Sequence, residues 1–364
     1  MLWQKQQSVR MRPLGFRPPA LVLDGELEWV LQRALGPLTW RPKAALSGQR
    51  LVDVALRLDL AARIASRQPR ELLEQEMTSG PAHRLREQYV GTVAREALLE
   101  QALNQLLEHA SGSGVSCILL KYSALYRMGV LRVGARVASD IDVLVPQSQA
   151  RPFYARLRER GYQDLGLPES SHQLPALCGP NGVMIELHVH VPVVTLSEAQ
   201  TFTCSEDLLA AGLTIPSGSA LLPAPAVVAA HAIAHGLLQH AYVPQVYCPL
   251  KTFADLADLE LHSPGVAEQA GQYLSAMTPA DLASVRTLAR ALSAGDLESA
   301  MSDGAGIILR HAIASQLDHG YAIRLRLGGL IRSKPTSVSR TPAQLVSALR
   351  AAWHWARSAP PDVR

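Results

Sequence analysis

The 364-residue chain is poor in aromatic residues, in charged residues and in cysteine. Phe, Trp and Tyr make up 5% of it, and Asp, Glu, Lys and Arg make up 18%, against 48% hydrophobic residues. This composition supplies ample apolar material for a packed core and excludes a disordered chain. The length exceeds the usual size of one core and predicts two or three domains.

Two further absences bear on the location of the protein. The chain has no run of about 18 apolar residues, and its first residues lack the apolar segment of a secretory signal, so we expect a cytoplasmic protein without membrane association. The cysteines are widely spaced and form no C-x-x-C pair, which favours free thiols over disulfides or a zinc site. They are Cys117, Cys178, Cys204 and Cys248.

The charge of the chain restricts its partners. A formal net charge of +4 is mildly basic and is compatible with a polyanionic substrate. No basic stretch with interleaved aromatic residues indicates an RNA or DNA surface, so nucleic acid is disfavoured as a partner.

Residues 139–145 read S-D-I-D-V-L-V and predict a β-strand. Because successive side chains alternate faces, Asp140 and Asp142 share one face and the apolar residues share the other. Two residues of strand span about 6.6 Å, a spacing at which two carboxylates can hold one or two hard cations. A solvated strand edge with two acids explains the pair more simply, so the pair alone does not define a site.

A second strand is predicted at residues 183–191. Its alternating apolar residues place Glu186, His188 and His190 together on the opposite face. A Gly-Pro-Asn-Gly turn just before it predicts a hairpin with the preceding segment. If this strand lies beside the strand of Asp140, three carboxylates face one site.

These segments, in this order, resemble the bacterial nucleotidyltransferase family related to the polymerase-beta superfamily. The resemblance is specific over residues 115–190 and loose over the flanking helices. The residues that carry it are Leu120-Lys121, Arg136 four positions before D-I-D-V-L-V, H-Q-L-P-A-L at 172–177 and I-E-L-H at 185–188.

The resemblance implies a metal-dependent enzyme that moves a nucleoside monophosphate from a nucleoside triphosphate to a hydroxyl acceptor and releases pyrophosphate. The implied cofactor is Mg²⁺ or Mn²⁺, and the acceptor, whether a small molecule, a peptide or a protein, is left open. The implied catalytic and metal-binding residues are Asp140, Asp142 and Glu186, which would bind two divalent ions. The residues expected to contact the nucleotide are Lys121, Ser123, Arg136 and His188.

The proposed nucleotide contacts have simpler explanations beside them. Lys121 fits a plain surface lysine equally well, and Ser123 fits a helix cap better than a phosphate contact. Arg136 can clamp a triphosphate or pair with Asp140 or Asp142.

One position departs from the family pattern. Where the family has Lys-Gly and a small residue, this chain reads Lys121-Tyr122-Ser123. Glycine at that turn lets backbone N–H groups approach a triphosphate closely. Tyr122 therefore keeps a second function open, a noncatalytic nucleotide- or metal-binding relative that acts as an interaction protein.

Histidines allow a third and weaker function, a zinc hydrolase. His231 and His235 have the four-residue spacing of H-E-x-x-H, but Ala232 stands where that motif has glutamate. Packing histidines explain the pair more simply. The complete ligand set of this alternative would be Glu186, His188, His190, His231 and His235.

The predicted fold class is α+β, with a small mixed β-sheet core of α/β type flanked by helical regions. The expected domains are an N-terminal helical region at 1–110, the nucleotidyltransferase-like core at 111–200 and a C-terminal helical domain at 201–364. Within the last of these, Asp255 and Asp258 are interpreted as part of a solvated helix face.

Overall fold

The computed structural model describes residues 24–36, 46–167, 169–197, 200, 202–239, 249–301 and 305–317. Over these residues it has a mixed seven-stranded sheet surrounded by helices, which confirms the predicted α+β class. The sequence also predicts an irregular lead-in over residues 1–24 and a helix that begins at Thr341-Pro342. Residues 1–23, the second of these segments and Cys248 lie outside the described residues. Within the described ranges, no helix has the length and apolar character needed to cross a membrane.

In the described part of the chain, five helices precede the sheet. The helical spacing of apolar residues over 49–66 predicts one helix, which is wrong because the chain turns at Asp59 with a φ of 57° and starts a new helix. Asp tolerates this left-handed conformation better than most residues. The helices are α1 (Gly25–Leu35), α2 (Gly48–Arg57), α3 (Ala61–Arg67), α4 (Arg70–Glu76) and α5 (Ser79–Ser111).

The central sheet has the strand order β3-β4-β5-β2-β1-β9-β8. A two-stranded sheet of β6 and β7 stands apart from it, and helices α6 (Lys121–Arg127), α7 (Gln147–Glu159) and α8 (Ser205–Ala210) connect the strands. The strands are β1 (Ile118–Leu119), β2 (Asp140–Leu144), β3 (Gln163–Asp164), β4 (Leu177–Cys178), β5 (Met184–His188), β6 (Val191–Pro192), β7 (Phe202–Thr203), β8 (Thr214–Ser217) and β9 (Ala220–Pro223).

The two strands that carry the acids are neighbours in the middle of this sheet. β2 and β5 run parallel, with Asp142 opposite Glu186. The predicted hairpin before β5 is confirmed, since β4 pairs with β5 in the antiparallel sense. The apolar residues that alternate with the acids are buried, so a shift of register by one residue would expose them.

The expectation of a purely helical chain beyond residue 200 is wrong between residues 202 and 223. β8 and β9 form a hairpin at Gly218, and β9 pairs with β1 in the parallel sense through Leu221 and Ile118. Each strand has only four residues, and Pro216 interrupts the alternation that indicates a strand. The central sheet therefore includes chain as far as Pro223.

The helices after the sheet join the same apolar core as the first five. The run Thr278-Pro279-Ala280-Asp281 predicts a helix capped by Thr278. This is confirmed, because the Thr278 hydroxyl accepts a hydrogen bond from the N–H of Asp281 at 3.2 Å. α9 (Pro225–Ile233) continues into a π-helical turn (Ala234–Gln239). The others are α10 (Pro249–His262), α11 (Val266–Ala270), a 3₁₀ turn (Gly271–Tyr273), α12 (Pro279–Ser293), α13 (Leu297–Ala300) and α14 (Ala305–Leu317).

The π-helical turn lies against α10 at Gly236. A Cβ atom at this position would lie 2.8 Å from Cβ of Thr252, closer than packed side chains approach. We expect Gly236→Ala to lower the free energy of unfolding by about 1–3 kcal/mol, measured by urea denaturation. Gly91→Ala is the matched control: no heavy atom of the described residues lies within 4 Å of its added Cβ, so the change should be neutral or stabilising. Equal effects of the two substitutions would contradict the packing at Gly236.

Candidate functional site

A cavity of about 370 Å³ opens over the face of β2 and β5 that carries the acids. Residues of α6, α9 and α10 also line it. Six of the seven predicted site residues line it, and Ser123 does not. The six are Lys121, Arg136, Asp140, Asp142, Glu186 and His188.

Asp142 lies at the centre of the site and is 2% exposed. Its Oδ1 atom is 2.6 Å from Nζ of Lys121 and 2.8 Å from Nε2 of His188. The same two nitrogen atoms lie 3.7 Å and 3.5 Å from Oε2 of Glu186. The ammonium group of Lys121 and the imidazole of His188 thus both contact one buried oxygen atom of Asp142. Charges in such buried surroundings interact strongly.

The charges of these groups support one another. Burial alone would raise the pKa of Asp142, but Lys121 and the hydrogen bond from His188 hold it well below its usual value. Burial likewise opposes the charged forms of Lys121 and His188, yet the adjoining carboxylates raise the pKa of both. Asp142 is therefore ionised and Lys121 protonated at neutral pH.

Asp140 has a different environment from Asp142. It is half-buried, and burial together with the charge of Asp142 raises the pKa of its carboxyl group. Its recorded hydrogen bond is from the hydroxyl of Ser139, at 3.2 Å. Asp140 is therefore the acid of the set whose charge is least compensated by the protein.

The donor set suits a hard divalent cation. Asp142, Glu186 and His188 offer one atom each within 4.8 Å of one another, and Asp140 lies outside this group. Three carboxylates around one cavity supply the oxygen ligands that Mg²⁺ and Mn²⁺ prefer. The predicted ligands thus share one face, although His188 comes nearer to the two opposed acids than Asp140 does.

The backbone places Lys121 at this site. Lys121 follows β1 as the first residue of α6 and has a φ of 47°, a left-handed conformation that is unusual for lysine. Its side chain is 16% exposed. The alternative of a plain surface lysine is therefore wrong. The strained backbone of Lys121 lies at the site that the sequence predicted.

Ser123 does not have the position that the sequence favoured. The residue before α6 is Leu120, and no side chain caps this helix. Ser123 is the third residue of the helix and is 3% exposed. Its interpretation as a helix cap is wrong, because α6 begins at Lys121, two residues before Ser123.

Arg136 lines the cavity, but its carboxylate partner is unexpected. Its Nε atom lies 2.9 Å from both carboxylate oxygens of Asp255 on α10, rather than against Asp140 or Asp142. Asp255 is 3% exposed, so its assignment to a solvated helix face is wrong. The same assignment is wrong for Asp258, which binds Arg63 of α3 with both oxygens at 2.6 Å.

The partnership with Arg136 makes Asp255 sensitive to substitution. Asp255→Asn keeps the shape of the side chain but removes the charge that neutralises the guanidinium. We expect the free energy of unfolding to fall by about 1–3 kcal/mol, measured by urea denaturation. In the double variant with Arg136→Met most of this loss should disappear; equal losses in both backgrounds would show that the two residues do not interact.

Tyr122 forms part of the cavity wall. Its ring stacks on Tyr126 with centroids 5.8 Å apart, and the guanidinium carbon of Arg136 lies 5.8 Å from its centroid. The residue is 5% exposed, and burial raises the pKa of its hydroxyl. The tyrosine that replaces the family glycine is thus a packed side chain between α6 and the arginine.

The sequence did not single out His172 as a site residue. His172 lines the cavity, and its ring stacks on that of His188 with centroids 5.7 Å apart. Burial, followed by the charges of His188 and Lys121, lowers its pKa to about 4, so it is neutral at pH 7. Its presence in the segment that carries the family resemblance was the one available signal.

The remaining histidines do not assemble the zinc site of the third alternative. His231 and His235 line the cavity, but His190 packs on Phe202 with centroids 4.0 Å apart. Burial lowers the pKa of His231 to about 3. Among the described residues, the metal-binding atoms that lie close together belong to Asp142, Glu186 and His188. Neither His231 nor His235 is part of this group.

Comparison with known proteins identifies one related family. A family model described as "Uncharacterised nucleotidyltransferase" matches residues 45–267, more than half of the chain. No curated protein and no solved structure matches the chain. The matched region contains all seven predicted site residues and also Asp255.

Proposed function

Because the chain belongs to this uncharacterised nucleotidyltransferase family, we propose that it moves a nucleoside monophosphate from a nucleoside triphosphate to a hydroxyl acceptor, with release of pyrophosphate. The observation that carries the proposal is the register of β2 and β5, which sets Asp142 opposite Glu186 over the cavity. Pairs of carboxylates on one face are typical of phosphoryl-type transfer sites that bind divalent ions.

The residues that would hold Mg²⁺ or Mn²⁺ are Asp140, Asp142 and Glu186. When bound, such an ion neutralises the charge of the triphosphate and favours ionisation of the acceptor hydroxyl. The protein itself supplies position and charge, since transfer of this kind requires little covalent chemistry from side chains.

Other side chains of the cavity have supporting roles in this proposal. His188 donates its hydrogen bond to Oδ1 of Asp142 and so fixes the orientation of that carboxylate. Arg136, held by Asp255, presents positive charge to the phosphates from the lining of the cavity. Ser123 is buried away from the cavity lining, and we assign it no role.

The proposal is tested by incubating the protein with each nucleoside triphosphate labelled at the α-phosphate, together with Mg²⁺ or Mn²⁺ and fractions of a cell extract. We expect pyrophosphate release that depends on the metal and on one class of acceptor, with the label transferred to that acceptor. Small molecules, peptides and proteins are separated by size before counting.

Asp164→Asn is the matched control for substitution of an acid, because Asp164 is exposed on β3 and does not line the cavity. It should release pyrophosphate at the wild-type rate. Absence of pyrophosphate with every nucleotide and every fraction would contradict the proposed activity.

A further inference from the structure

Lys121 and His188 approach the opposed acids in the same way. Both nitrogen atoms lie nearest to Oδ1 of Asp142, and both face Oε2 of Glu186. The recorded ion pairs of these two carboxylates therefore use one oxygen atom of each. The ammonium group of Lys121, a cation of the protein itself, therefore lies between the two acids.

The sheet holds Lys121 in this position. The N–H of the residue before it, Leu120, donates to the carbonyl of Asp142 at 3.0 Å, and β1 pairs with β2 through Leu119 and Val143. The backbone of Lys121 thus starts from the strand that carries its partner. Withdrawal of the ammonium group would leave Asp142 and Glu186 facing each other in a buried place, which is electrostatically costly.

The space between the opposed acids is already occupied by the protein. Nζ of Lys121 and Nε2 of His188 lie 2.6–3.7 Å from Oδ1 of Asp142 and Oε2 of Glu186. A second ion between Asp142 and Glu186 would have to enter beside the ammonium group, which repels it at short range.

We propose that Lys121 takes the place of one metal ion, so that this site binds a single divalent cation. The remaining position belongs to Asp140 and to the carboxylate oxygens that do not face Lys121. This inference rests on the proposed function, in which these three acids hold the metal. It identifies Lys121 as a fixed cation of the site and not only as a contact for phosphate.

The number of bound ions tests the inference directly. Free Mn²⁺ is counted by electron paramagnetic resonance during titration of the metal-free protein, first alone and then with a nonhydrolysable nucleoside triphosphate. We expect one bound Mn²⁺ per chain in both series. Two ions bound to the wild-type chain at this site, seen as two events that Asp142→Asn removes together, would overturn the inference.

Lys121→Met removes the charge while keeping the length of the side chain. We expect this variant to bind two Mn²⁺, and we expect Mn²⁺ to raise its melting temperature more than that of the wild type. Lys121→Arg keeps the positive charge and should bind one ion, as should Arg127→Met, a control on the same helix that does not line the cavity. One ion in folded Lys121→Met would overturn the inference, and the count on the wild type decides the matter if that variant does not fold.

The ion count and the pyrophosphate assay together distinguish this inference from the proposed function. One bound ion without pyrophosphate release in any assay would support the role of Lys121 and contradict nucleotidyl transfer. Two bound ions together with metal-dependent pyrophosphate release would support nucleotidyl transfer and contradict the role of Lys121.

Discussion

Asp142→Asn is expected to lower the rate of metal-dependent pyrophosphate release by about 10³-fold. The substitution removes a ligand charge from the centre of the site and leaves an amide where Lys121 and His188 require an acceptor with full negative charge. The rate is measured under saturating nucleotide with Mg²⁺ and with Mn²⁺. Turnover at the wild-type rate with unchanged metal dependence would contradict the assignment of Asp142 to the site.

The same substitution is expected to lower stability. Considered from the sequence, Asp142 is one of several crowded acids, and loss of its charge should relieve repulsion. In the structure its charge instead compensates a buried ammonium group and a buried imidazole. We therefore expect the free energy of unfolding to fall by about 1–3 kcal/mol in the absence of metal, measured by urea denaturation.

Tyr122→Gly is expected to cost about 3–5 kcal/mol of unfolding free energy, since it removes a buried aromatic ring and leaves a cavity beside Tyr126 and Arg136. We also expect affinity for the nucleotide to fall, because Arg136 loses the ring that it packs against. Urea denaturation and calorimetric titration with a nonhydrolysable nucleotide measure the two effects.

Tyr122→Phe is the control for this substitution. It keeps the ring and should change stability by less than about 1.5 kcal/mol, with unchanged affinity for the nucleotide. Tighter nucleotide binding by Tyr122→Gly would instead show that the tyrosine obstructs the turn at which the family has glycine. That result would favour the noncatalytic alternative.

The parts of the site that follow from local pattern were predictable from the sequence. Alternation in β2 and β5 confined Asp142 and Glu186 to polar faces, because the apolar residues between them must be buried together. The adjacency of the two strands was a hypothesis that the family resemblance supplied, and the structure confirms it.

The contacts between distant parts of the chain were not predictable in this way. Arg136 and Asp255 are 119 residues apart, and a helical acid gives no local sign that an arginine will cover it. Lys121, whose side chain contacts Asp142, has a left-handed backbone conformation. The sequence gives no sign of this conformation, because lysine rarely adopts it. The hairpin of β8 and β9 was not predicted either, because strands of four residues with an internal proline show little periodicity.

The central claim, that Asp142 and Glu186 serve one metal-dependent nucleotide site, is tested most directly by calorimetric titration with Mn²⁺ in the presence of a nonhydrolysable nucleoside triphosphate. The wild type, Asp142→Asn, Glu186→Gln and the control Asp164→Asn are compared under the same conditions. We predict that both site variants lose the same binding event and that the control keeps it. Loss of this event in Asp142→Asn alone, with Glu186→Gln unchanged, would contradict the claim.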